Sequence, residues 1–109
     1  MTVEQMASTL SLTPLAVCEK ERVFSDVYIG DLLSWVMGRA KSGDVWITIM
    51  SNINIVAVAT LTDVACVILA EGVTPDESVV QTAKSKGVNI YTSELTAYQL
   101  ARELAKLLK

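Results

Sequence analysis

The stretch that decides the fold runs from Gly43 to Gly72 and reads GDVWITIMSNINIVAVATLTDVACVILAEG. Its two mainly apolar runs, 45–49 and 66–70, are typical of strands that are buried on both faces of a sheet. The segment between them, 53–61, is apolar almost all round, and its residues suit either a strand or a buried helix. We favour a helix, because two short buried strands need a crossover connection if they are to lie parallel. The stretch therefore predicts a strand–helix–strand unit.

Further elements are predicted on both sides of this unit. Strands are expected at 15–18 and 23–29, joined through a charged turn as either a hairpin or a crossed connection, and a third strand is expected at 88–91. Capping patterns predict helices that begin at Thr2, Asp31, Thr74 and Ser93, and glycines predict helix ends at Gly43 and Gly87. The expected fold is a single α/β domain, 1–109, with a mostly parallel sheet of about 4–5 strands flanked by helices in a three-layer-like arrangement.

The composition limits the classes of partner. Hydrophobic residues make up 51% of the chain, charged residues make up 19%, and the net charge is −3. A chain this apolar favours a tight core and an exposed surface that a second subunit covers, so we expect a homodimer. No basic stripe is present to neutralise phosphates, which argues against a nucleic-acid partner. We expect a cytoplasmic protein with no membrane association, because neither a signal peptide nor an uninterrupted apolar span of about 20 residues is found.

Residues with catalytic or metal-binding chemistry are scarce. The chain has no histidine, which excludes a Ser-His-Asp or Cys-His site, and its two cysteines, Cys18 and Cys66, are expected to be buried free thiols rather than a disulfide. No phosphate-binding glycine loop is found. We therefore predict no catalytic residues, no metal site, no cofactor and no enzymatic activity.

Small polar residues follow three of the predicted strands, and we call them the polar collar. They are Ser51, Asn52, Asn54, Glu71, Gly72, Thr92, Ser93 and Thr96. If these strands are parallel, the collar converges at one edge of the sheet, where hydroxyls, amides and free helix N–H groups suit a phosphate or another small anionic ligand. The same residue types are ordinary helix caps and turn formers, and this alternative is the favoured one.

Two tryptophans differ in their expected surroundings. Trp46 lies in the middle of a predicted strand and is expected in the core. Trp35 lies one residue away from the apolar stripe of its helix, so we expect it to be exposed and to contribute to a subunit interface.

The chain resembles the DRTGG domain family. The resemblance begins at Gly43-Asp44-Val45-Trp46-Ile47-Thr48 and continues through 66–72, 74–76, 87–90 and 92–96, so that it covers most of the chain. It implies a non-catalytic α/β module that also resembles the N-terminal domain of HPr kinase and whose usual roles are dimerisation and regulation. The family's Gly-Asp-Arg, double glycine and Asp-Thr appear here as Met50-Ser51-Asn52, Glu71-Gly72 and Leu95-Thr96, which favours assembly over an inherited anion site.

Two functions are therefore expected from the sequence. The first is a non-enzymatic regulatory and dimerisation module with a second copy or another protein as its partner. The alternative is a sensor that binds a nucleotide or a phosphorylated metabolite at the polar collar.

Overall fold

The computed structural model describes residues 1–108, in which five strands and five helices alternate along most of the chain. The strands are β1 Thr13–Ala16, β2 Asp26–Ile29, β3 Asp44–Thr48, β4 Cys66–Leu69 and β5 Ile90–Thr92. The helices are α1 Val3–Thr9, α2 Leu33–Arg39, α3 Asn54–Thr62, α4 Glu77–Lys86 and α5 Ala97–Leu107. The predicted α/β class is confirmed, and the ambiguous segment after β3 is the helix α3.

All five strands form one sheet in the order β1-β5-β4-β3-β2. The four strands from β5 to β2 are parallel neighbours, and β1 is antiparallel to β5. Because β1 and β2 form opposite edges of the sheet, their connection is crossed and is not a hairpin. This topology places the carboxyl ends of β2, β3, β4 and β5 at one edge.

Helices cover both faces of the sheet and enclose two apolar cores. Helices α2, α3 and α4 pack over a core that includes the fully buried Trp46, whose indole Nε1–H donates to the Gly30 carbonyl at 2.9 Å. Helices α1 and α5 pack over the other face, where Met6 and Leu104 are fully buried. The three-layer arrangement and the core position of Trp46 therefore agree with the prediction.

One buried amide fastens the crossed connection to the sheet. The Asn89 Oδ1 atom accepts from the backbone N–H groups of Cys18 and Glu19 at 2.7 and 2.8 Å. Its Nδ2 donates to the carbonyls of Glu19 and Ala65, both at 3.0 Å. Since a buried polar group is costly unless it is hydrogen-bonded, these four bonds fix the start of the β1–β2 connection beside β4.

Some predicted helix ends are confirmed and others are wrong. The capping box of Thr2 is present, and Gly87 ends α4 in the left-handed conformation at a φ of 74°. Thr74 does not begin α4, because the carbonyl of Asp76 accepts the first helical bonds and the preceding residues belong to the loop. Ser93 does not begin α5 either: its Oγ accepts from the nearby N–H of Leu95 at 3.1 Å, and the helix begins later.

The predicted limits of α2 are also wrong. Asp31 does not cap this helix, because its Oδ1 instead accepts from the Thr48 hydroxyl at 2.7 Å and from the Ile49 N–H at 3.0 Å. The C-cap is Ala40 rather than Gly43, whose N–H donates to the Asp63 carbonyl at 3.0 Å in the turn before β3. Both residues therefore join distant loops instead of ending a helix.

The two cysteines are free, as predicted, but only one is buried. Cys66 lies fully buried in β4, and burial raises the pKa of its thiol to about 12. Cys18 is exposed, which corrects the prediction, because β1 ends at Ala16 and Cys18 lies in the following connection.

Within residues 1–108, every helix is too short or too polar to cross a bilayer.

Candidate functional site

The polar collar converges at one edge of the sheet, as the sequence analysis expected. Strands β3, β4 and β5 are adjacent and parallel, and they end at Thr48, Leu69 and Thr92. The collar residues end β5 or follow these three strands. The sheet therefore brings the eight residues that sequence analysis selected to one edge, where six lie in three neighbouring loops, Asn54 begins α3 and Thr92 ends β5.

The hydroxyl groups of the third collar loop are committed to the fold. Thr92 Oγ1 donates to the Val73 carbonyl at 2.7 Å, so it joins this loop to the one that follows β4. Thr96 Oγ1 accepts from the Gln99 N–H at 3.2 Å, and the Thr96 N–H donates to Gln99 Oε1 at 3.0 Å, which completes a capping box. Thr96 is therefore a helix cap and Ser93 a turn former, as the alternative interpretation has it, whereas the Thr92 hydroxyl bonds the neighbouring loop.

The second collar loop is docked onto the third through its backbone. The Glu71 N–H donates to the Leu95 carbonyl at 2.8 Å, and the Gly72 N–H donates to the Ser93 carbonyl at 2.7 Å. Gly72 has a φ of 73°, and a Cβ atom there would lie 2.6 Å from Glu94 Oε2. The left-handed backbone favours a glycine here, while the flexible Glu94 carboxylate would have to shift to make room for a Cβ atom.

The first collar loop is different, because its backbone donors remain available. Asn52 Oδ1 accepts from the Asn54 N–H at 2.9 Å, and the N-cap residue Ile53 makes no side-chain cap bond. The N–H groups of Ser51, Asn52 and Ile53 donate to no protein group within residues 1–108. Consecutive free donors at the positive end of α3 are suited to a small anion.

The first collar loop is also joined to the start of α2. The Thr48 hydroxyl donates to Asp31 and accepts from the Met50 N–H at 3.1 Å, so one side chain bonds both loops. Sequence analysis missed the roles of Asp31 and Thr48, because an aspartate before an apolar run looks like a helix cap. The available N–H donors at 51–53 were missed as well, because the residue types do not show which backbone N–H groups lack a hydrogen-bond partner.

A groove of about 710 Å³ lies elsewhere, between α1 and β1. Its walls include Glu4, Ser8, Leu12, Pro14 and Tyr91, and no collar residue contributes to them. Among residues 1–108, no cluster of three or more His, Cys, Asp or Glu side chains is placed to hold a metal ion.

The outer surface of α2 carries exposed apolar side chains, and we call it the α2 surface. Leu32, Trp35 and Met37 are 60%, 56% and 48% exposed. The Arg39 guanidinium lies 4.0 Å from the centroid of the Trp35 ring, so the cation covers one face of the indole. The exposure expected for Trp35 is therefore observed, while its part in an interface remains a prediction.

Three exposed isoleucines lie near the edge of the sheet at which β2 and β3 end. Ile29 ends β2, Ile49 follows β3, and Ile53 precedes α3, and each is between 45% and 48% exposed. The hydrogen bonds of Asp31 hold the loops of β2 and β3 side by side.

The parallel sheet, the two helical layers and the polar loops at one sheet edge define a small three-layer α/β domain. The DRTGG domain family model matches residues 4–107, and the chain belongs to this family. The resemblance on which the sequence analysis relied is thus confirmed. No curated protein sequence matched.

A solved structure supports the same fold. The chain is similar to the crystal structure of the CBS and DRTGG domains of the regulatory region of Clostridium perfringens pyrophosphatase, complexed with its activator diadenosine tetraphosphate. The TM-score is 0.77 at 20% sequence identity, and the match covers 93% of this chain and 44% of the other. This chain therefore spans less than half the length of the protein that it resembles.

Proposed function

We propose that this domain is a non-enzymatic regulatory module that acts by forming a homodimer. The observation that carries the proposal is the α2 surface, where three large apolar side chains are about half exposed or more. Membership of the DRTGG family and the likeness to a pyrophosphatase regulatory region support the regulatory part. Large exposed apolar patches mark interaction sites, and an exposed tryptophan is a frequent centre of binding energy.

The position of α2 in the fold gives a physical reason for self-association. Helix α3 has a helix on each side, α2 and α4, whereas among the helices of residues 1–108 α2 packs extensively only against α3. The outer side of α2 therefore stays in water in the monomer. A second copy would remove this apolar surface from water, which is favourable by roughly 25 cal/mol per Å² before the cost of association.

The test compares the same substitution at two exposed leucines, one on the α2 surface and one outside it. Leu32→Lys puts a charge on the α2 surface, and Leu61→Lys puts the same charge near the far end of α3, where Leu61 is 70% exposed. Sedimentation equilibrium should show a wild-type dimer, a mostly monomeric Leu32→Lys variant and a dimeric Leu61→Lys control. A monomeric wild type would contradict the proposal.

We infer a second candidate function, the sensing of a small anionic ligand at the first collar loop. The specific observation is the run of three available N–H donors at 51–53. A phosphate group would accept from these donors and would be stabilised by the positive end of α3. The nucleotide activator of the structural neighbour makes diadenosine tetraphosphate a suitable first probe, with inorganic pyrophosphate beside it.

A single isosteric change tests the sensor function. Asn52→Asp keeps the oxygen that accepts from Asn54 but adds a negative charge where the anion would bind. At 100 times its dissociation constant, a ligand that binds only the native state adds about 2.7 kcal/mol to stability, which a thermal melt detects. We expect the shift in wild type and in the distant control Gln81→Glu, and a much smaller shift in Asn52→Asp. No shift in wild type with either probe would remove support for a site that binds them.

A further inference from the structure

The groove between α1 and β1 lies at a corner of the sheet that the helices cover incompletely. Helix α4 packs against β1 on one face of the sheet, and α5 packs mainly against β2 and β3 on the other. The short helix α1 is left to cover the corner beside β1, and a groove of about 710 Å³ remains open there. This volume lies within the range of small-molecule sites, which is about 300–1,000 Å³.

A hydroxyl group without a hydrogen-bond partner in the protein lines this groove. Tyr91 pairs with Pro14 across β5 and β1, and only 3% of it is exposed. No group within residues 1–108 bonds its Oη atom, and Asp44 Oδ1 is the one unbonded side-chain atom of these residues that is sealed from water. The Tyr91 hydroxyl therefore still meets solvent. Because the rest of the residue is enclosed, a ligand in the groove would supply the partner that a buried hydroxyl requires.

The surroundings of Tyr91 keep this hydroxyl neutral. Burial raises the pKa of Tyr91, and the neighbouring Cys66 and Glu4 raise it further. A neutral tyrosine hydroxyl can donate one hydrogen bond and can also accept one from an N–H or O–H group. The effect of Glu4 also shows that its carboxylate lies near the hydroxyl.

One side of α1 supplies the other polar groups of the groove. Glu4 and Ser8 are four residues apart in the helix, so they lie on the same side, with Ala7 beside them. Among the wall residues, which all belong to the described part of the chain, Glu4 alone is charged. Lys20 lies 3.7 Å from the Glu4 carboxylate, but both side chains are more than half exposed. Such a pair contributes little, so the carboxylate is available to a cation in the groove.

We propose that this groove binds a small molecule that joins an apolar body to a protonated amine. The apolar body packs against Leu12, Pro14 and Val17, which line the groove and lose contact with water on binding. The ammonium group donates to the Glu4 carboxylate and to Tyr91 Oη, and the charge of the carboxylate strengthens the first of these bonds. This site is separate from the α2 surface and from the polar collar, since no wall residue belongs to either.

Two matched probes test the chemistry of the ligand. Phenethylamine has an apolar ring and a protonated amine, and phenethyl alcohol has the same ring with an uncharged hydroxyl. In isotope-labelled protein, phenethylamine should shift the amide signals of Ser8 and Val17 with a dissociation constant of about 1 mM, as expected for so small a ligand. The signal of Ala57, which is exposed on α3, should stay unchanged. The alcohol should bind about fivefold more weakly, because it lacks the charge.

Three variants test the roles of the wall residues. Tyr91→Phe keeps the ring and loses the hydroxyl, and Glu4→Gln keeps an oxygen and loses the charge, so both should weaken phenethylamine binding. Lys20→Gln should strengthen it about twofold, because it removes the competing cation. Glu77→Gln is the matched control, since Glu77 also lies in the first turn of its helix, and it should bind like wild type.

Each outcome decides for or against the site. Saturable shifts confined to the groove and weakened in Glu4→Gln and Tyr91→Phe are the expected result. No saturation at about ten times the expected dissociation constant would overturn the proposal, and so would equal binding of the amine and the alcohol. Shifts of the same signals when the protein alone is concentrated would assign the groove to a second copy and would also overturn it.

Discussion

Helices α2 and α3 differ in burial although both are apolar and lie on the same face of the sheet. Helix α3 follows the interior strand β3 and buries Ile55, Val56, Val58, Ala59 and Thr62. Helix α2 follows the edge strand β2 and buries only Val36. The difference shows that an apolar helix becomes core or surface according to the strand that it follows, and the apolar area left exposed on α2 is the area that the proposed dimer would cover.

The largest loss of stability is expected from a substitution in the buried side of α3. Ile55→Ala removes a side chain with no exposed surface, so it should lower the free energy of unfolding by about 2–5 kcal/mol. Chemical denaturation monitored by circular dichroism measures this loss. A loss below about 1 kcal/mol would mean that α3 is not the rigid centre of this layer.

A smaller effect on stability is expected in α2. Trp35→Ala removes a larger side chain that is 56% exposed, and the lost contact with Arg39 is worth about 0.5–1 kcal/mol. The unfolding free energy, measured at a protein concentration low enough to keep the chain monomeric, should fall by no more than about 1 kcal/mol. A loss as large as that of Ile55→Ala would show that α2 belongs to the core, and the comparison would fail.

The smallest effect on stability is expected from a substitution at the end of α3, where its C-cap Asp63 is exposed. Hydrogen bonds from Ser42 and Arg22 hold the pKa of the Asp63 carboxyl below its usual value. Because the pKa is lower in the folded state, the stabilisation is present above the unfolded pKa and is lost as the pH falls through the folded pKa.

The matching variant is Asp63→Asn. It should cost less than about 1 kcal/mol at neutral pH, since exposed ion pairs contribute little. Urea unfolding at neutral pH and at successively more acidic pH should show that its difference from wild type shrinks in acid. A difference that is the same at every pH would contradict an electrostatic origin.

Much of the fold could be predicted from local signals. The apolar runs around Trp46 and Ile68 could be assigned to buried strands, because a strand covered on both faces has few polar residues. Gly87 could be recognised as a helix end because only a few residues adopt the left-handed conformation readily. The helical state of α3 required a topological argument, since its β-branched residues allowed either structure.

The wrong predictions of helix ends arose where two local patterns compete or where a hydrogen-bond partner is distant in sequence. Ser93 and Thr96 both look like helix caps, and the Thr96–Gln99 spacing, which matches Thr2–Gln5, could have decided between them. The partners of Asp31 lie 17 and 18 residues away in another loop, so no local pattern indicates them.

The candidate site was predictable in the same limited way. Parallel strands bring polar loops to one edge, and the collar follows from that rule. Two features of the site could not be predicted, because they depend on exact backbone geometry that the residue types do not specify. They are the hydrogen bond from the Thr92 hydroxyl to the Val73 carbonyl and the available N–H donors at 51–53.

The pairing of β1 with β5 has a consequence for the synthesis of the chain on a ribosome. Thr13 lies opposite Thr92, so an edge strand made among the first residues has no partner until almost the whole domain has been translated. The parallel β2–β3–β4 core can form earlier, while the N-terminal helix and strand wait for β5 and for the amide of Asn89. We therefore expect the N-terminal segment to be the last part of the nascent chain to become resistant to protease.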